Sequence, residues 1–266
     1  MKVRCLLMSL GLLLAFFGVA CTSRAPAPTV LPIVTALKYQ TTIVPTIPPA
    51  SIPPSPTTVL APAFVFQKGA TWTYAGLVQW DDKGKPQQKT LTWKMQVVDK
   101  IERGDGIVGY VMRGHPLDLA FYTVDKQPSE YLFIAKGNRV YQITLISNEP
   151  VDRLKNKANA LDDLMSDETL VLDLPLAAGK KFGPAQFVAN ADGMNIWMVA
   201  DAKPMTLSGI KGISAASATE YAIDFKTNPD RQTVFYVPGI GITRLTYHHN
   251  GTLSEVDVKL VEFSPM

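Results

Sequence analysis

Ile242-Thr243-Arg244-Leu245-Thr246-Tyr247-His248-His249-Asn250-Gly251-Thr252-Leu253-Ser254-Glu255-Val256-Asp257-Val258-Lys259-Leu260 is the stretch that settles the fold class. Apolar and polar residues alternate on both sides of Asn250-Gly251, which is the period of a half-buried antiparallel strand. Asn-Gly is the favoured centre of a two-residue type I′ turn, because both residues tolerate positive φ. Such a turn sets His249 opposite Thr252, Leu245 opposite Val256, Arg244 opposite Asp257 and Thr246 opposite Glu255. One face then reads Tyr247, Leu245, Val256, Val258 and Leu260, and the other carries the charges. A slip of one residue would bury Asp257 and Glu255, at a cost on the order of several kcal/mol.

The same texture runs back through the chain to Val65. Trp72, Tyr74, Val78 and Trp80 share one face of a strand, and the turn Asp81-Asp82-Lys83-Gly84-Lys85-Pro86 follows. Thr90–Val98 alternates strictly, with Leu91, Trp93, Met95 and Val97 on one side. Further strands are expected at Ile107–Arg113, Leu119–Val124, Tyr131–Ala135 and Val140–Ile146. They resume near Val171, then at Gln186–Ala189, Ile196–Ala202, Thr219–Phe225, Gln232–Val237, Ile242–His249 and Leu253–Phe263. One stretch, Val151–Met165, has apolar residues at helical spacing.

Ten to thirteen short strands and one helix predict a mainly β fold. The expected form is a large curled antiparallel sheet, a half-barrel wrapped around the helix or an apolar cavity. Curling removes the exposed edges that a long flat sheet would present. About two hundred residues bury roughly 70% of their unfolded surface, so no disulfide is needed.

The chain before this domain has a different composition. Four of the 26 basic residues lie before Val65, and no acidic residue precedes Asp81. From Val65 onward 22 basic residues face 23 acidic ones. A domain so balanced presents no electrostatic case for nucleic acid. Met1-Lys2-Val3-Arg4 followed by the uncharged run Leu6–Val19 has the plan of a secretory signal peptide over residues 1–20. The run is too short to span a bilayer well. Residues 21–64 form a tether: Thr22–Phe64 holds ten prolines, eight threonines and no glycine. Proline fixes φ and restricts its predecessor, so a disordered, polyproline-II-like spacer is expected. Its reach is roughly 35 Å as a coil and roughly 130 Å extended. Residues 65–266 are the globular domain.

Val19-Ala20-Cys21 resembles the lipobox of bacterial lipoproteins, although Gly18 stands where that family most often has Leu. The resemblance implies cleavage between Ala20 and Cys21 and lipid attachment at Cys21. The chain would then be held by fatty acyl chains in a cell membrane or outer membrane, on the extracytoplasmic face. Two or more such chains give stable attachment. Cysteine usage agrees: Cys5 lies in the signal and Cys21 would be the single mature cysteine. The opening Gly69-Ala70-Thr71-Trp72-Thr73-Tyr74 and the ending Pro238-Gly239-Ile240-Gly241-Ile242-Thr243-Arg244 resemble the "G-x-x-W-x-Y" start and "P-G-x-G" finish of bacterial envelope lipoproteins. Leu174–Phe182 reads as a second, degraded copy of the opening. Curled-sheet lipoproteins of the LolA/LolB type, which carry acyl chains in a half-barrel, are similar at the level of fold alone.

No nucleophile elbow, metalloprotease helix, phosphate loop, dinucleotide fingerprint or C-x-x-C appears, so no catalytic residue, metal or cofactor is expected. His248 and His249 are adjacent on a strand and point apart, and His115 reads as a surface loop residue. Asp162-Asp163 and Asp167-Glu168 lack calcium-loop spacing. Trp72, Tyr74, Trp93, Met95 and Trp197 are candidates for a core or for an apolar ligand pocket. Two functions follow. The first is a membrane-anchored, non-catalytic module that meets an envelope protein or glycan through its loops or convex face. The second is a carrier or sensor of a lipid or other apolar small molecule in the concave face. An apolar cavity above roughly 300 Å³ favours the second, and a filled interior the first.

Overall fold

A computed structural model describes residues 64–266. The expected signal peptide (1–20), Ala20, Cys21 and all of the expected tether (21–64) but Phe64 lie outside the described residues. The elements run β1 (Thr71–Asp82), β2 (Lys85–Glu102), β3 (Ile107–Arg113), β4 (Glu130–Lys136), β5 (Arg139–Thr144), α1 (Glu149–Lys155), β6 (Leu170–Asp173), β7 (Lys181–Phe182), α2 (Ala185–Val188), β8 (Trp197–Leu207), β9 (Ala216–Lys226), β10 (Asp230–Val237), β11 (Gly241–His249) and β12 (Ser254–Ser264). The strands form one sheet in the order β6-β5-β4-β3-β2-β1-β12-β11-β10-β9-β8-β7, with neighbours antiparallel. It curls into a nearly closed barrel, with β6 and β7 as its edges. The mainly β, curled antiparallel sheet expected from the alternation is therefore what the chain forms. No helix among the described residues is long and apolar enough to cross a membrane.

Cross-strand register identifies the two faces. Trp72 pairs with Met95, Tyr74 with Trp93, Val78 with Val256, Leu245 with Val258 and Val234 with Leu245. These side chains point inward; all but the half-buried Val234 belong to one continuous buried cluster, and Val234 packs against it. The opposite face carries Thr90, Thr92 and Lys94 on β2, and Arg244, Thr246 and Asp257 on β11 and β12. Tight turns follow from local chemistry. Asp82 pairs with Lys85 across Lys83-Gly84, whose φ values of 55° and 80° are both positive. The Asp81 carboxylate accepts the Gly84 N–H at 2.7 Å.

Several expectations are corrected. In the final hairpin Leu245 faces Val258, Tyr247 faces Val256 and His248 faces Glu255, a register two residues from the expected one. Asn250 is not in the positive-φ region that a type I′ turn requires. Its N–H and its side-chain amide both donate to the Pro229 carbonyl, at 3.1 and 2.9 Å, so the neighbouring β9–β10 turn holds it. A shift of two preserves the faces, and Leu245, Tyr247, Val256, Val258 and Leu260 are all buried. Arg244 and Asp257 still meet, diagonally, at 2.7 and 2.8 Å.

Leu119–Val124 is not a strand. It belongs to the β3–β4 loop, which opens with a 3-10 turn at Pro116–Leu119. The Ala120 and Phe121 N–H groups are taken by Leu117 O and Ser254 Oγ, and Phe121 has a φ of 50°, so no ladder runs through the segment. Gln186–Ala189 is likewise not a strand, since α2 covers Ala185–Val188 after Pro184. The expected helix Val151–Met165 shrinks to α1, which ends at Lys155. Leu161 and Leu164 remain buried, carried by turns instead. Nor does the sheet wrap around that helix. A Cβ at Gly109 would lie 2.1 Å from Leu154 Cδ2, so α1 presses Leu154 onto the Gly109 side of β3. The adjacent Tyr110 meets Phe64 and Phe66 on the inner side. The helix therefore covers the outer face.

The sheet is built from two six-stranded meanders, β1–β6 and β7–β12, joined where β1 pairs with β12. The second copy of the opening seen in the sequence has the same hydrogen bonds as the first. Gly69 N–H donates to Val97 O and Val97 N–H to Ala70 O; Gly179 N–H donates to Val199 O and Val199 N–H to Lys180 O. Ala70 N–H reaches back to Gln67 O, and Lys180 N–H to Ala177 O. Each half also bulges just beyond, at Val97/Asp99 in β2 and at Val199/Asp201 in β8. The halves differ at their outer seams. β1 is long and pairs with β12 from Thr71 to Trp80. Its counterpart β7 stops after Phe182 at Gly183-Pro184, and β6 stops before Leu174-Pro175. Proline cannot donate to a ladder, so this seam stays open.

Candidate functional site: a cavity in the concave face

The interior of the curled sheet is filled at one end and hollow at the other. The β3–β4 loop, Gly114 to Ser129, fills the first end. Leu119 and Tyr122 are buried there, Tyr122 packs edge-on against Trp80 at 4.9 Å, and Phe121 N–H donates to Ser254 Oγ at 2.8 Å. At the other end lies a cavity of ≈260 Å³. Trp72, Met95, Met112 and Phe133 form one wall. Ile223, Phe225, Val234 and Tyr236 form the facing wall. Val171 and Leu172 of β6 and Trp197 of β8 bound it beside the open seam.

Of the five residues singled out from sequence, Trp72, Met95 and Trp197 line this cavity, while Tyr74 and Trp93 do not and belong to the buried core. The polar tips of the three aromatic core residues are satisfied by carbonyls. Trp72 Nε1–H donates to Ile240 O at 2.6 Å, Tyr74 O–H to Ile242 O at 3.1 Å, and Trp93 Nε1–H to Gly114 O at 3.0 Å. Large amphipathic rings are stable inside only with such partners. Burial pushes the Tyr74 phenol well above its ordinary pKa. Trp197 is half-buried and packs between Phe182 and Phe225, at 6.4 and 4.8 Å between ring centres.

Sequence reasoning missed several wall residues. Phe64, assigned to the end of the tether, stacks on Phe133 at 5.9 Å, and Phe66 meets Trp72 edge-on at 5.0 Å. The apolar alternation Phe64-Val65-Phe66 just before the Gly69 turn was the available signal. His115 was expected on the surface and is instead 5% exposed, in the cavity wall. Its ring lies 5.4 Å from that of Tyr131 and 6.0 Å from that of Phe133. Its Nδ1 accepts the Leu117 N–H at 3.2 Å. Burial lowers its pKa to about 4, against a smaller opposing pull from Asp118, so the ring is neutral at pH 7. Asp118 is also buried, and its two oxygens accept from Ser129 N–H at 2.9 Å and Tyr131 O–H at 2.7 Å.

The remaining polar candidates lie elsewhere and hold each other. His248 contacts Glu255 at 3.1 Å, and His249 contacts Asp230 at 2.8 Å, so the adjacent histidines have separate partners. Asp163 is clamped by Arg153 at 2.6 and 2.9 Å, and Asp167 lies 3.6 Å from Arg139. Among the described residues no group of three or more His, Cys, Asp and Glu side chains is placed to hold a metal ion.

No family model matches the chain, and no curated protein matches it. Two solved structures are similar. One is a protein described as exported, with a YmcC-like fold, from Bacteroides fragilis. It is 16% identical, covers 77% of this chain and 99% of its own, and has a TM-score of 0.37. The other is a protein described as a lipoprotein from Parabacteroides distasonis, 11% identical over 78% of this chain and 100% of its own, with a TM-score of 0.34.

Proposed function

We propose that this chain is a lipid-anchored extracytoplasmic protein whose curled sheet binds an apolar small molecule in its concave face. The anchor rests on the sequence: a charged start, an uncharged apolar run, and Cys21 as the single cysteine after it. The binding function rests on one observation, the ≈260 Å³ apolar cavity at a seam that two proline-terminated strands leave open. A core with no ligand to hold would be packed to the density of an organic crystal. The volume falls slightly below the roughly 300 Å³ at which small-molecule sites begin. It suits one ring system or a short chain, and is too small for a two-chained phospholipid.

The interaction-module reading has less support. On the outer face Arg244 pairs with Asp257, Lys203 with Asp201 and Lys211 with Glu262, so those charges satisfy one another. Native mass spectrometry of the protein released from its own membranes tests the binding reading. The expected spectrum shows a non-covalent adduct lost on collisional activation. A bare polypeptide mass, after correction for the anchor, speaks against it.

A further inference from the structure

We propose that His115 reads the polar end of the cavity's occupant, donating its Nε2–H to a neutral oxygen, so that the ligand class is an apolar molecule carrying a carbonyl-type acceptor. This inference rests on the cavity being a binding site. The geometry assigns the tautomer. Nδ1 already accepts the Leu117 N–H, so a neutral ring carries its proton on Nε2. The ring is 95% buried, and no side chain of the protein accepts from Nε2 among the hydrogen bonds of the described residues. The buried side-chain atoms that lack a hydrogen-bond partner among the described residues are both on Arg103, and one of these, Nε, lies 3.0 Å from Asp105. Nε2 is therefore not sealed inside protein; it opens onto the cavity that His115 lines.

The acidic and hydroxyl groups of the wall and rim do not compete for that proton. The Asp118 carboxylate is held by Ser129 and Tyr131. The Thr169 hydroxyl donates to the carbonyls of Leu164 and Ser166. Glu168 is exposed at the rim, and hydrogen bonds from its backbone N–H and Ser166 hold its carboxyl below the ordinary value. A negative rim disfavours an anionic ligand. A cation that passed the Glu168 carboxylate would be buried beside a neutral donor, which offers it nothing. The other polar side chains of the wall include the neutral amides of Gln142 and Gln232, so an apolar body with a neutral acceptor suits the site.

Two probes of nearly equal shape, 2-acetylnaphthalene and 2-ethylnaphthalene, test this against the full-length protein in lipid nanodiscs. Binding is followed by tryptophan quenching and by 15N resonances of the three histidines. The acetyl compound is expected to bind about fivefold tighter, as one net hydrogen bond implies, and to shift the His115 Nε2 resonance. In His115→Phe both compounds bind and the preference disappears. Equal binding of the two to the wild-type protein, with the His115 resonance unmoved, overturns the assignment of His115 and leaves the cavity reading standing. If neither compound binds, both readings fall. The wild-type comparison decides the matter even if the variant does not fold.

Discussion

Acidification should destabilise this protein through one residue. His115 titrates at an ordinary 6.5 in the unfolded chain and at about 4 when folded. Between those values the unfolded state binds the extra proton, so stability falls as pH falls. Above pH 7 both states are neutral and the residue contributes nothing to the slope. The full gap amounts to about 3 kcal/mol once both states are protonated, and about 2 kcal/mol of it is lost between pH 7 and pH 5. That is a sizeable part of a typical stability of 5–15 kcal/mol. Stopping at pH 5 keeps the measurement above the carboxylate range, where Asp99, Asp230 and Asp257, all held below their ordinary values, begin to matter. The control is His115→Asn, which keeps a side-chain acceptor for the Leu117 N–H and does not titrate. Urea unfolding midpoints at pH 7, 6 and 5 for both proteins give the comparison. The wild type should lose about 2 kcal/mol more than the variant. Parallel losses would show that the imidazole is hydrated in the folded state, and the cavity wall would have to be redrawn.

Three further outcomes are expected. Cys21→Ser should leave the protein uncleaved or release it from the membrane fraction; full retention of a correctly processed variant, judged by fractionation and intact mass, would overturn the anchor. Arg244→Ala should cost no more than about 1 kcal/mol in urea unfolding, because its pair with Asp257 is half-buried on the solvent face and screened by water; a larger loss would mean that the hairpin faces are assigned backwards. Gly109→Ala should cost about 1–3 kcal/mol, because the new Cβ meets Leu154. Leu154→Ala alone costs about 2–5 kcal/mol, so the double variant should cost less than the sum; strict additivity in a thermal or urea cycle would place α1 elsewhere.

The faces of the strands were legible from sequence because a period of two depends only on the strand itself. That is why Trp72, Tyr74, Trp93, Met95 and Leu245 all point inward as expected. The hairpin register was not legible, since the Pro229 carbonyl that holds Asn250 lies on a neighbouring turn. Helix length failed for a related reason. Leu161 and Leu164 keep helical spacing, but Arg153 closes onto Asp163 and the chain turns back after Lys155. Of the cavity, sequence gave the aromatic and methionine walls on β1, β2 and β8. It missed His115 because a His-Pro pair in a loop reads as a solvated turn. The counter-signal was the spacing of Leu117, Leu119 and Tyr122, too apolar for a loop facing water.

The position of β1 has a mechanical consequence. Whatever force reaches the folded body through the residues before Phe64 arrives at the start of β1, which is clasped along its length by β2 and from Thr71 to Trp80 by β12. A pull along that strand loads both ladders in shear, many hydrogen bonds at once. Had the chain entered at an edge strand as short as β7, the same tug would peel the sheet apart bond by bond.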